Sequence, residues 1–74
     1  MIDIHSSEYQ KFLKKLIAAR KECGMTQAKI SEILQSPQPF ISKCESVERR
    51  VDIIELKSFT EIYNKNINYF IDND

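Results

Sequence analysis

Gln38, Ser42 and Lys43 are the side chains most suited to chemistry here, and that chemistry is hydrogen bonding rather than bond making. They lie in "SPQPFISKCE", residues 36–45, together with both prolines of the chain. An amide offers donor and acceptor together, a hydroxyl either, and an ammonium three donors. Set along a short helix, they suit a first turn that meets something else. The rest of the chain offers little for catalysis. No nucleophile–base pair stands out, the single Gly excludes a glycine-rich phosphate loop, and Cys23, Cys44 and His5 are too scattered for zinc. The expectation is a binding protein and not an enzyme, with no metal, no cofactor and no small-molecule ligand.

The elements that must position these residues are helices. Tyr9, Phe12, Leu13, Leu16, Ile17 and Cys23 form one apolar stripe at helical spacing. Ser7 with Gln10 reads as a capping box at its start, and Gly24 as its left-handed stop. Thr26 offers an N-cap to a second helix carrying Ala28, Ile30, Ile33 and Leu34. Ser36 can cap a third, with Pro37 at its first position and Pro39 at its third, where no ladder bond is lost. Phe40, Ile41 and Cys44 follow. "VERRV" is a polar turn, Asp52 with Glu55 caps a fourth helix, and Asn64 and Asn66 lead into a short fifth with Ile67, Phe70 and Ile71. The fold class predicted is a compact all-α bundle of five helices in one domain, residues 1–74, with residues 1–7 as an N-terminal arm.

Seventy-four residues bury only about 60% of their unfolded surface, so a partner subunit is the expected source of extra stability. "FLKKLIAARK" is broken by charges and resembles neither a signal peptide nor a membrane span. A cytoplasmic location with free thiols is expected. Net charge is zero, which argues against a strongly basic, non-specific nucleic-acid binder. Residues 1–24 carry five basic and three acidic side chains, and residues 52–74 carry two basic and five acidic ones. Solvated helix faces are the simpler account of that asymmetry.

Three segments, "ARKECGMTQAKISEIL", "SPQPFISKCESVERRVDIIEL" and "YNKNINYF", resemble the Cro/repressor type of helix-turn-helix, the XRE family. The resemblance spans roughly residues 12 to 71 and needs no insertion. It departs from the family at Val47 and Gln35, both places where relatives carry Gly. It implies a lambda-repressor-like fold with the helix-turn-helix at helices two and three, and it implies roles. Gln38 and Lys43 read base edges, Gln through paired bonds to adenine and Lys43 on guanine or phosphate. Pro39 can offer only apolar contact. Phe40 either faces outward, covering a thymine methyl or the backbone, or belongs to the core. Gln27 bonds a phosphate and braces Gln38, while Thr26, Ser42, Lys29, Arg49 and Arg50 anchor phosphates. Arg20 and Glu45 correspond to an ion pair between helices one and three. Cys44 reads as a small buried residue rather than a redox switch.

The function implied is sequence-specific binding of double-stranded DNA by a transcriptional regulator, a repressor on this resemblance. One module makes few base contacts, so a homodimer on a near-palindromic operator is expected. Tyr69, Phe70 and Ile71 of "INYFID" are placed on the dimer surface. A different class remains open: an antitoxin-like or adaptor module that keeps the fold and binds protein. Zero net charge and the acidic carboxyl end support it.

Overall fold

The computed structural model describes residues 6–71, and within them the chain is all-α. Five helices follow in order: α1 (Ser7–Glu22), α2 (Gln27–Leu34), α3 (Gln38–Cys44), α4 (Ile53–Tyr63) and α5 (Ile67–Ile71). Residues 1–5 of the expected arm lie outside the described residues. Its last two belong to the bundle: Ser6, not Ser7, is the N-cap of α1, and its hydroxyl accepts the Tyr9 N–H at 3.2 Å.

Each helix contributes its apolar stripe to one core. Leu16 and Ala19 of α1, Ile30 of α2 and Ile41 and Cys44 of α3 are fully buried. Phe59 and Tyr63 of α4 stack at 5.9 Å, and Phe70 of α5 meets Phe12 of α1 edge-on at 6.3 Å. Such aromatic pairs contribute about 0.5–1.5 kcal/mol beyond the burial of their area. Tyr63 carries the one buried side-chain polar atom without a hydrogen bond among the described residues, its hydroxyl. Burial raises its pKa, and the nearby Glu45 carboxylate adds to the rise.

The connections fix how the helices meet. Gly24, Gln35 and Asn64 all adopt left-handed backbone, with φ of 69°, 53° and 53°. Gln35 therefore does without glycine what the turn between α2 and α3 requires. Val47 needs no such conformation. There Ser46 closes the turn instead, its hydroxyl donating to the Lys43 carbonyl and accepting the Glu48 N–H. The cap of α3 differs from expectation. Pro37 is the N-cap and Gln38 the first helical residue, and no side chain caps the helix. Ser36 turns back instead to donate to the Leu34 carbonyl. Asp52 and Glu55 form the expected capping box at α4. Among the described residues, no helix is long and apolar enough to cross a membrane.

Candidate nucleic-acid interface

Arg20, Glu45 and Gln27 form a brace that joins three helices. Arg20, near the end of α1, donates through Nε to Glu45 Oε2 at 2.8 Å and through Nη2 to Oε1 at 3.1 Å. Its remaining Nη1 donates to the Met25 carbonyl at 2.9 Å. Gln27, the first residue of α2, donates through Nε2 to the same Glu45 Oε1 at 3.0 Å. Glu45 is the C-cap of α3 and its side chain is 4% exposed, against 12% for Arg20. A carboxylate so enclosed is stable as an ion only with partners, and here three donors meet it. The bond to Glu45 raises the Arg20 pKa. The pair anticipated by resemblance is present.

Gln27 does not brace Gln38 as expected. Its amide is tied to Glu45, and no bond joins it to Gln38. It braces the far end of α3 rather than the near one, because α2 starts beside the place where α3 stops.

Along α3 itself, Gln38, Pro39, Ser42 and Lys43 are all exposed. Ile41 and Cys44 point inward, and helical spacing turns the intervening residues away from the core. Phe40 does not join that outer face. It is half-buried against the core and carries the Arg49 guanidinium over its ring, 4.8 Å from the centroid. An outward position at a base is therefore corrected to a packing position.

Arg49, expected as a phosphate anchor, is engaged within the chain. It donates to Glu55 Oε1 at 2.6 Å and to the Arg50 carbonyl at 2.9 Å. The Glu55 bond raises its pKa and lowers that of Glu55. The capping carboxylate of α4 thus also holds the loop after α3. Arg50 is exposed. Lys29 is exposed beside Glu32 at 3.4 Å, a solvated pair that holds neither side chain firmly. Thr26 accepts the Lys29 N–H as the cap of α2, at 3.1 Å.

The expected dimer surface on α5 is mostly engaged within the chain. Phe70 is 2% exposed and belongs to the core. Tyr69 is half-buried, its hydroxyl 3.4 Å from Glu22, with the Lys65 ammonium over its ring. Lys65 also pairs with Glu22 at 2.9 Å, which lowers the Glu22 pKa. Ile71 alone of the three stays open, 55% exposed. The Glu22–Lys65–Tyr69 cluster was missed in the sequence because its members lie 43 and 47 positions apart. No local pattern signals such a contact.

Cys44 is buried, and the apolar surroundings push its thiol up to about 11. Among the described residues, no group of His, Cys, Asp and Glu is placed to hold a metal ion. No protein-family model matches this chain, and no curated protein or solved structure matches it either.

Proposed function

We propose that the protein binds double-stranded DNA sequence-selectively through α2 and α3, as a transcriptional regulator of the Cro/repressor helix-turn-helix kind. The brace is the observation that carries this reading. It fixes the C-terminal end of α3 to α1 and α2, while Gln38, Pro39, Ser42 and Lys43 stay exposed, their side chains without a hydrogen bond among the described residues. A rigid short helix with an unengaged amide, hydroxyl and ammonium matches what the major groove reads: paired donors and acceptors at base edges, flanked by phosphates. The resemblance of the sequence to the XRE family supports the same reading. Gln38 and Lys43 are the proposed base readers. Ser42, Thr26, Lys29 and Arg50 are the proposed phosphate contacts. Two copies on a near-palindromic site would supply the specificity that one module lacks. The proposed activity is binding, without catalysis or cofactor.

Selection of sites from random DNA, followed by a salt titration, tests it. A preferred sequence should emerge, with log affinity falling by about 0.9 per phosphate contact for each unit of log salt. Binding no tighter than to scrambled DNA would remove the reading. A second reading is favoured by a specific observation: Arg49 is held on Glu55, which leaves few cations for phosphate on a chain of zero net charge. In that case the same fold serves as an antitoxin-like or adaptor module that binds protein.

A further inference from the structure

We propose that two copies of this chain associate through the first turn of α4 and the cleft beside it, Ile54 of each copy entering the cleft of the other. Ile53 and Ile54 are 66% and 69% exposed, more than any other large apolar side chain described. One turn further along α4, Ser58 borders an open cleft of about 380 Å³. Leu34, Phe40 and Phe59 give the cleft its apolar lining, and Ser36, Glu55 and Ser58 its polar lining. The Ser58 hydroxyl donates to the Ile54 carbonyl at 3.4 Å, so the protruding side chain and the cleft are neighbours on one face of the helix.

The polar groups of the cleft decide what fits it. The Ser36 and Ser58 hydroxyls both donate to backbone carbonyls of their own chain. Glu55 accepts from Arg49 and from the Asp52 N–H. Both hydroxyl protons are therefore engaged, so the cleft offers a polar small molecule acceptors but no free hydroxyl donor, and small-molecule sites depend on convergent groups of both kinds. An aliphatic side chain needs none. The source of that side chain follows from the face itself. The one charge lining the cleft, on Glu55, is neutralised by Arg49 at 2.6 Å, so a second identical face meets no like-charge repulsion there. An apolar protrusion beside an apolar cleft is self-complementary, and a two-fold axis fills both clefts at once. With so few large side chains the contact lies at the small end of specific interfaces, and the association is weak.

This inference deepens the DNA-binding reading by naming the surface through which its two copies assemble. It rests on that reading only for what the dimer is used for. The test therefore contains no DNA: sedimentation equilibrium of the full chain, with amide chemical shifts followed over a dilution series up to about 1 mM. The wild type should associate, and shifts on dilution should concentrate at Leu34, Phe40, Ile54 and Ser58. Ile54→Asp should weaken association at least about tenfold, as loss of a central apolar anchor does. It should keep its helical content, because an acidic residue suits the first turn of a helix. Ile71→Asp, on α5, should leave association unchanged. A wild type that stays monomeric at the top of the series overturns the proposal. So does association that survives Ile54→Asp, or that Ile71→Asp abolishes instead. Failure to select a DNA site would leave each of these results standing.

Discussion

Arg20 and Glu45 stand 25 positions apart in the chain and are joined by two hydrogen bonds, of 2.8 and 3.1 Å. They are unequal partners. Glu45 is the more enclosed, so removal of Arg20 leaves the costlier orphan. Arg20→Ala should cost about 3–5 kcal/mol, the range for breaking a buried pair. Gln27→Ala removes one bond to a charged group and should cost less, about 1.5–3 kcal/mol. Urea midpoints of the two variants check the order, and an unchanged Arg20→Ala midpoint would mean that the pair contributes nothing.

Mutations on α3 and on the loop after it should separate into two kinds. Gln38→Ala should leave the melt unchanged and lose about 1–3 kcal/mol on a selected DNA site, relaxing preference at one base pair. Arg49→Ala should do the reverse. It frees Glu55 and uncovers Phe40, so the midpoint should fall while the salt slope of DNA binding stays the same. Equal loss on selected and scrambled DNA would make Gln38 a positioning residue.

Phe70→Asp places an unpaired carboxylate where a side chain 2% exposed now packs. The expected result is loss of the fold rather than a folded monomer, since aromatic truncations in cores alone cost about 3–5 kcal/mol. Far-ultraviolet circular dichroism distinguishes the two. Native helical content in this variant would show that α5 is not needed by the core.

Thiol chemistry should reveal one cysteine and conceal the other. Cys23 is exposed and should react with a disulfide reagent in the native state, whereas Cys44 should react only on unfolding. The Cys44 thiol ionises near 9 when free and at about 11 in the fold. The folded state therefore holds this proton where the unfolded state has lost it. Stability from this group is complete below about 9 and declines as pH rises toward 11. The raised Tyr63 phenol acts in the same direction. Cys44→Ala should flatten the alkaline slope of the urea midpoint, and an unaltered slope would assign it elsewhere.

The helices were legible because each carries apolar residues at helical spacing, and α1, α2 and α4 are followed by a left-handed stop. Asp52 and Glu55 form the capping box their spacing predicts. Adjacent hydroxyls are harder to tell apart. Ser6 and Ser7 are chemically alike, and the helix phase that puts the Tyr9 N–H over Ser6 selects between them. Phe40 stood between an outward and a core position, and the Arg49 contact that distinguishes them depends on the path of a loop, which has no periodicity to read. Phe70 was placed on a surface because a short apolar helix looks the same in sequence whether its face meets a core or a second subunit. Arg20 and Glu45 were paired only through resemblance, since nothing local connects them.

The left-handed stops after three of the helices bear on the unfolded chain as well. Gly24 is the only glycine of the protein, and a Cβ built on it meets nothing within 4 Å. Its sole demand is the backbone angle, which Asn64 already meets with a side chain attached. Gly24→Asn should therefore be accommodated without repacking, while a β-branched residue there would bear about 1–2 kcal/mol of strain. The substitution also narrows the conformations open to the denatured ensemble at that point, and so reduces the entropy that folding must overcome.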